Sequence, residues 1–220
     1  KSDIGFAFDG DGDRIGIVDE KGKTIFSDKI GLIIARYISE VQKNSKFIVD
    51  IKSTGLFAQD PILKKNGAEV EYWKTGHSYM KKRVHEKGAL AGFEKSGHFI
   101  FGPPYGKGYD DAMNASIFLS KIVSEESNTS ISSLLKTLKT TYQSPTMGVY
   151  CADEHKYEVV KKVTNYFVNC KNKGVRFLDQ KIINLITING IRLELEDGTW
   201  GLIRASSNKP SLVVVIESPI

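Results

Sequence analysis

Cysteine is scarce in this sequence: Cys151 and Cys170 are the only two among 220 residues. Neither lies in a CxxC or a Cys/His pattern, so the chain shows no sign of a disulfide framework. We therefore expect two free thiols in a reducing compartment, and a cytoplasmic protein.

Long hydrophobic runs are also missing. The longest apolar stretches, such as residues 212–216 (LVVVI), are far too short to span a bilayer, and no signal peptide is visible. We expect no membrane partner. The sequence begins KSDIGFAFDG, without an initiator methionine and inside a predicted strand, which indicates a piece of a longer protein.

The charge balance is only mildly basic, with a formal net charge of +5 and a pI near 9.0. The lysines are scattered and form no run or stripe, so we predict no nucleic-acid partner. An anionic small-molecule substrate and an ordinary solvated surface both fit this charge.

Short apolar strands alternate with helices in the first part of the chain. Residues 46–51 (KFIVDI) are typical of a buried strand, residues 28–41 have helical spacing with Ser27 as a candidate N-cap, and residues 54–67 also predict a helix. The alternation predicts βαβ units and a mostly parallel sheet. Ligands bind beyond the carboxyl ends of such strands.

The pattern changes after the polar residues 124–133. A strand, an amphipathic helix over residues 153–171 and several alternating strands predict a smaller α+β domain with an antiparallel sheet. The Asp197-Gly198 pair between two alternating runs is a strong hairpin signal.

Residues 8–14 read FDGDGDR. Asp9, Asp11 and Asp13 alternate with glycines that let the backbone turn tightly. A hard cation such as Mg²⁺ or Ca²⁺ prefers oxygen ligands of this kind and would offset their mutual repulsion. The adjacent Arg14 indicates a phosphorylated group as the remaining partner.

Two alternatives compete for this acidic loop. The three aspartates and Glu20 fall at EF-hand ligand positions, but Arg14 stands where that loop needs glycine, and the flanks are predicted strands. An acidic turn that binds no ion is the other alternative.

A second polar loop follows a predicted strand at residues 92–98 (GFEKSGH). Glu94, Ser96 and His98 alternate along it, and side chains that both donate and accept suit the vicinal hydroxyls of a sugar. A polar loop without a ligand is the alternative.

Two further loops carry single candidates. His77 stands at a predicted helix start, where backbone N–H groups favour an anion, although an ordinary helix capped by Thr75 explains it equally well. Lys52 follows a buried strand and is either a proton donor beside the metal loop or a solvated lysine.

The last candidate loop, residues 204–210 (RASSNKP), follows the predicted hairpin. Arg204, Ser206, Ser207 and Asn208 offer a guanidinium fork, hydroxyls and backbone N–H groups that suit a phosphate. A plain polar loop is the alternative. Combined with the acidic and hydroxyl-reading loops, however, it describes a phosphosugar held at both ends.

Together these loops resemble those of the α-D-phosphohexomutases, which include phosphomannomutases and phosphoglucomutases. FDGDGDR resembles the family's metal loop, and VDIKSTG, WKTGHSYMKK, GFEKSGH and RASSNKP follow in the family's order over nearly the whole chain. The resemblance implies that residues 1–20 end a second domain and that residues 21–138 form the third, an α/β/α domain with a mixed, mostly parallel sheet. Residues 139–220 would then form the fourth, a smaller α+β domain resembling the TATA-binding-protein fold.

The resemblance also implies a reaction: interconversion of hexose 1-phosphate and hexose 6-phosphate through a phosphoserine and a bisphosphorylated sugar, with glucose or mannose 1,6-bisphosphate as activator. It implies Mg²⁺ on Asp9, Asp11 and Asp13 with a phosphoserine oxygen. By the same resemblance, Arg14 would stabilise the transferred phosphoryl group, and Lys52 and His98 would be the acid–base groups. His77, Glu94 and Ser96 would contact the sugar. The phosphate that does not react would be bound by Arg204, Ser206, Ser207 and Asn208.

Two departures from the family's pattern stand out. Phe93 precedes Glu94 where the family usually has glycine, and no Ser-His-Asn-Pro-like phosphoserine loop occurs in these residues. We therefore expect that loop in N-terminal domains outside this chain, and no mutase activity from the chain alone.

Mannose or glucose is the expected sugar. A phosphoglucosamine mutase, a divalent-cation-binding module and a metal-dependent phosphatase remain alternatives.

Overall fold

A computed structural model describes residues 2–125, 130–177 and 179–219. The chain divides into two units, Lys1–Lys139 and Thr140–Ile220. Part of the polar stretch predicted between them, residues 126–129, lies outside the described residues. The assignment of residues 1–20 to a separate preceding domain stays a prediction.

The first unit contains seven strands and six helices among its described residues. The strands are β1 (Ile4–Phe8), β2 (Ile15–Asp19), β3 (Thr24–Ile25), β4 (Lys46–Asp50), β5 (Glu69–Trp73), β6 (Ala91–Phe93) and β7 (Phe99–Phe101). The helices are α1 (Ser27–Val41), α2 (Leu56–Gln59), α3 (Pro61–Lys65), α4 (His77–Lys87), α5 (Ala112–Glu125) and α6 (Ile131–Lys136).

Two sheets organise this unit. Strands β1, β2 and β3 form an antiparallel sheet, and a second sheet has the order β5-β4-β6-β7. In the second sheet β4 is parallel to both β5 and β6, while β7 is antiparallel to β6. The predicted α/β domain with a mixed, mostly parallel sheet is confirmed. The carboxyl ends of β4, β5 and β6 share one edge, and Lys52, His77 and Glu94 follow them.

Helix α1 carries the apolar stripe that the sequence predicts, and Ile30, Ile34 and Ile38 on it are fully buried. The predicted cap is wrong. Phe26 occupies the N-cap position without a side-chain cap, and the hydroxyl of Ser27 donates to the carbonyl of Ile15 at 3.3 Å. Ser27 therefore ties the helix to β2.

The single helix predicted over residues 54–67 is also wrong, because it divides into α2 and α3 at Asp60. Asp60 is extended and its carboxylate accepts from the backbone N–H groups that begin α3. The proline that follows disfavours a helical conformation at Asp60. The same buried carboxylate pairs with Arg36 on α1, at 2.6 Å between Oδ2 and Nη2, and so anchors the break.

The second unit is an antiparallel sheet with one long helix in its described part. Its elements are β8 (Tyr142–Gln143), β9 (Met147–Tyr150), α7 (Asp153–Asn172), β10 (Arg176–Phe177), β11 (Gln180–Ile186), β12 (Ile191–Leu195), β13 (Trp200–Ala205) and β14 (Ser211–Ser218). The strand order is β10-β11-β12-β13-β14-β8, and β9 also pairs with β14.

The predicted α+β arrangement and its hairpin are confirmed. Strands β12 and β13 pair antiparallel, and Gly198 takes a φ of +95° in the turn between them. On one face, Phe167 and Cys170 of α7 pack with Ile182 and Leu195 of the sheet. Cys151 and Cys170 are both free thiols. Among the described residues, no helix combines the length and apolarity needed to cross a bilayer.

Candidate functional site

The acidic loop connects β1 to β2 and places its three carboxylates together. Gly12 has a φ of +73°, and its N–H donates to the carbonyl of Asp9 at 3.2 Å. Ligand oxygens of Asp9, Asp11 and Asp13 all lie within 4.8 Å of one another. Since both flanking elements are strands, the EF-hand interpretation is excluded.

Arg14 folds back onto this loop. Its Nε lies 2.9 Å from Oδ2 of Asp9 and 3.8 Å from Oδ1 of Asp13, while its backbone N–H donates to Asp9 at 3.1 Å. Desolvation raises the pKa of Asp9, but the backbone and charge of Arg14 outweigh it and lower that pKa. The guanidinium is half exposed, so it is accessible to an incoming anion.

The acidic loop and the Glu94–His98 loop are joined by their backbones. The N–H of Ile15 donates to the carbonyl of Gly97 at 3.2 Å, and Arg14 and His98 form an isolated antiparallel β-bridge. Gly97 has a φ of +97°, and a Cβ there would lie 2.7 Å from the carbonyl oxygen of Ile15. Only glycine allows so close an approach in this conformation.

Glu94 is 2% exposed and forms a buried polar group with Asp50 and Lys52. Ser96 donates to its Oε2 at 3.1 Å, while Oε1 has no hydrogen-bond partner among the described residues. Burial and the nearby Asp50 raise the pKa of Glu94 to about 7, and Lys52 opposes them. Near neutral pH this carboxyl group can therefore either donate or accept.

Lys52 lies in this group and is not a solvated lysine. It is 9% exposed, and its Nζ is 3.7 Å from Oδ2 of Asp50. The hydroxyl of Thr75 also donates to Asp50, at 3.1 Å, and the N-cap of α4 is Gly76 without a side-chain cap. The Thr75 cap is therefore wrong. Sequence reasoning missed Asp50, although an acidic residue that ends a buried strand is a usable signal.

His77 and His98 come together around a second residue that sequence reasoning missed, Asp110. The two rings stack with centroids 5.6 Å apart, and Oδ2 of Asp110 lies 3.3 Å from Nδ1 of His77 and 3.2 Å from Nδ1 of His98. Lys81 donates to Oδ1 of Asp110 at 2.8 Å. Burial lowers the pKa of His98, although Asp13 and Asp110 oppose the shift.

In the second unit, the predicted phosphate loop follows β13. Arg204 and Ser206 are buried, whereas Ser207 and Asn208 are exposed. Nη1 of Arg204 donates to the carbonyl of Ala205 at 2.9 Å, and the N–H of Asn208 donates to the hydroxyl of Ser206 at 3.4 Å.

The buried Lys156 at the start of α7 contacts the backbone of this loop, and no sequence pattern singles it out. Its Nζ donates to the carbonyls of Ser206 at 2.7 Å and Lys209 at 3.4 Å, and to Asp153 at 2.6 Å. The side chain is 4% exposed and therefore joins the start of α7 to the loop through these buried contacts.

The structure thus gathers the candidates of the first unit into one network of loops. The residues in it are Asp9, Asp11, Asp13, Arg14, Lys52, His77, Glu94, Ser96 and His98, with Asp50, Lys81 and Asp110 between them. Clustered carboxylates, a guanidinium, an ammonium group and imidazoles suit a divalent cation, a phosphoryl group and hydroxyl groups.

Comparison with known proteins finds relatives that match nearly the whole chain. Residues 26–142 match the family described as "Phosphoglucomutase/phosphomannomutase, alpha/beta/alpha domain III". A phosphomannomutase/phosphoglucomutase of Pseudomonas putida is 32% identical over 99% of this chain and 43% of its own length. A phosphoglucomutase of Neisseria gonorrhoeae is 33% identical over 99% of this chain and 44% of its own length.

A solved structure matches the chain as well. The fold superposes with a TM-score of 0.83 on a phosphoglucomutase/phosphomannomutase family protein from Burkholderia thailandensis, at 29% identity over all of this chain and 43% of that chain. The chain therefore spans less than half the length of the relatives it matches.

Proposed function

The chain belongs to the phosphoglucomutase/phosphomannomutase family, and from this premise we propose that it is the C-terminal part of a Mg²⁺-dependent phosphohexomutase that interconverts the 1- and 6-phosphates of mannose or glucose. The single observation that carries the proposal is the backbone pairing of Arg14 with His98. This pairing places the acidic loop, whose residues suit a cation and a phosphoryl group, beside the Glu94–His98 loop, whose residues suit sugar hydroxyls.

The three aspartates fit a Mg²⁺ ion. Their ligand oxygens lie within 4.8 Å of one another, and Oδ1 of Asp13 is buried without a hydrogen-bond partner among the described residues. All-oxygen donor sets are what Mg²⁺ prefers. When bound, the ion supplies positive charge that offsets the carboxylates and the phosphoryl oxygens.

The remaining side chains take roles that follow from their positions. Arg14 is accessible to a phosphoryl group beside the aspartates and would stabilise charge on its oxygens. Glu94, held by Ser96, would bind vicinal sugar hydroxyls with its free Oε1. His98 would accept a proton from the sugar hydroxyl that receives the phosphoryl group, with Lys52 as a second acid–base group.

The phosphoryl donor is proposed to be a phosphoserine in N-terminal domains, and the intermediate a hexose 1,6-bisphosphate. In the second unit, Arg204, Ser206, Ser207 and Asn208 would bind a phosphate, assisted by the charge of Lys156. A cytoplasmic location is proposed as well, on the strength of the two free thiols.

The test uses the polypeptide of the whole reading frame with Mg²⁺ and a trace of glucose 1,6-bisphosphate. We expect ³¹P NMR to show interconversion of mannose or glucose 1- and 6-phosphates, and no turnover by the 220-residue chain. Turnover by that chain contradicts the external phosphoserine. Faster turnover of glucosamine phosphate favours a phosphoglucosamine mutase, phosphate release without bisphosphate favours a phosphatase, and cation binding without turnover favours a binding module.

A further inference from the structure

Asp110 lies outside the loops that the sequence patterns single out, yet its carboxylate reaches the histidines of two of them. Its side chain is 7% exposed. A β-bridge with Ile100 and a bond from the N–H of Asp111 to the carbonyl of Phe99, 2.8 Å long, hold its backbone. Lys81 donates to Oδ1 at 2.8 Å. The free oxygen, Oδ2, is therefore fixed in position.

Oδ2 of Asp110 is the nearer of two carboxylate oxygens that face Nδ1 of His98, at 3.2 Å against 3.4 Å for Asp13. Both Nδ1 of His98 and Oδ2 of Asp110 are buried, and neither has a hydrogen-bond partner among the described residues, so their 3.2 Å contact is a close approach of a carboxylate oxygen to a ring nitrogen without aligned hydrogen-bond geometry. Asp13 belongs to the proposed metal loop, so a bound cation would share its carboxylate. Asp110 lies outside that loop, and its Oδ2 also faces Nδ1 of His77, at 3.3 Å.

A carboxylate only accepts hydrogen bonds, and neutral imidazole carries one N–H and one acceptor nitrogen. From this contact we infer that Asp110 is a positioning residue that holds the proton of His98 on Nδ1 and leaves Nε2 free to accept a proton from the sugar hydroxyl. The proton transfer from the sugar hydroxyl rests on the proposed function. The tautomer of His98 does not depend on that function.

His77 provides an internal contrast. Its Nδ1 also lies 3.3 Å from Oδ2 of Asp110, but Nζ of Lys81 faces the same nitrogen at 3.1 Å. An ammonium group only donates, so Nδ1 of His77 has a donor as well as an acceptor beside it. The assignment of the tautomer is therefore made for His98 alone.

The test reads the tautomer directly. The 220-residue chain, labelled with ¹⁵N in its four histidines, is examined with Mg²⁺ at pH 8 by two-bond ¹H–¹⁵N correlation, with peaks assigned by single His→Gln variants. We expect the proton of His98 on Nδ1, the form that free histidine disfavours. Asp110→Ala should shift His98 towards the Nε2–H form. Asp111→Ala, which removes the neighbouring carboxylate that caps Asn114 at 2.8 Å, should not.

A wild-type His98 that carries its proton on Nε2, or a tautomer that Asp110→Ala leaves unchanged, overturns the inference. If Asp110→Ala does not fold, the wild-type spectrum decides alone. In the whole reading frame, Asp110→Ala should lower kcat on the order of 10–100-fold with KM nearly unchanged, and Asp110→Asn, whose amide oxygen still accepts, should recover part of it. The expected tautomer without mutase turnover refutes the proposed function only.

Discussion

Arg14 and His98 pair with each other in an isolated antiparallel β-bridge. Arg14 is the last residue of the acidic loop, and His98 is the last residue of the Glu94–His98 loop. The bond from Ile15 to Gly97 lies next to this bridge. The two loops are therefore a single structural element. Substitutions in either one should affect ligand binding at the other.

Substitution of Gly97 tests this junction. Gly97→Ala places a Cβ 2.7 Å from the carbonyl oxygen of Ile15 at a φ of +97°. Gly108→Ala is the matched control, because its φ of +85° is similar but its Cβ meets no atom within 4 Å. The control should lose about 1–2 kcal/mol of unfolding free energy, and Gly97→Ala a further 1–3 kcal/mol, roughly, from the clash. Equal losses in urea denaturation would show that the close approach does not matter.

Removal of one aspartate should weaken cation binding. Asp11→Asn takes a charge from the three-carboxylate cluster, so the Kd for Mg²⁺, measured by calorimetry, should rise on the order of 10–100-fold. Asp3→Asn, an exposed position before β1, serves as the control and should bind as the wild type does. EDTA should lower the Tm of the wild type and leave that of Asp11→Asn nearly unchanged. Identical Kd values for both variants would refute the site.

Glu94 should make stability depend on pH. Its pKa is raised from 4.5 to about 7 by burial and Asp50, so between these values the folded state keeps a proton that the unfolded chain loses. The free energy of unfolding should therefore fall as the pH rises from 4.5 to 7, by up to about 3 kcal/mol, and then level off.

Glu94→Gln should flatten this part of the pH profile, measured by urea denaturation between pH 5 and 8. Glu69→Gln, at a carboxylate that is 71% exposed and pairs with Lys46, is the control and should keep the wild-type slope. A slope in Glu94→Gln as steep as in the wild type would assign the pH dependence to other groups.

Lys156 should support both the stability and the ligand affinity of the second unit. Lys156→Met leaves the buried carbonyl of Ser206 without its 2.7 Å donor, which should cost about 1–3 kcal/mol of unfolding free energy. Titration with inorganic phosphate should show weaker binding at the loop amides of residues 205–209. Lys162→Met, on the same helix but 75% exposed, should change neither quantity. Unchanged phosphate binding in Lys156→Met would contradict its role under the loop.

The sequence predicts the elements of this fold well wherever local patterns decide them. The acidic loop, the strand ends that carry Lys52 and Glu94, and the Asp197-Gly198 hairpin all have short-range signals. The break at Asp60 has one as well, in the proline that follows. Its full cause is tertiary, however, because the carboxylate also pairs with Arg36, distant in sequence.

The site residues that the sequence does not reveal, Asp110 and Lys156, were missed because their partners are distant in sequence. Asp110 follows β7, an antiparallel strand of three residues that the sequence does not mark, and it reaches the histidines only after that strand has turned back. Lys156 lies on the first turn of a helix whose pattern reads as an ordinary amphipathic surface. For neither residue does the neighbouring sequence indicate which groups its side chain contacts.

The strand order of the second unit has a consequence for its biosynthesis. Strand β14 follows every other strand of its sheet in sequence, yet β13 pairs with one of its edges and β8 and β9 with the other. On the ribosome, β8 and β9 therefore emerge long before the strand that receives them. Until residues 211–218 have been synthesised, the nascent unit presents open strand edges, and such edges are what chaperones and aggregation compete for.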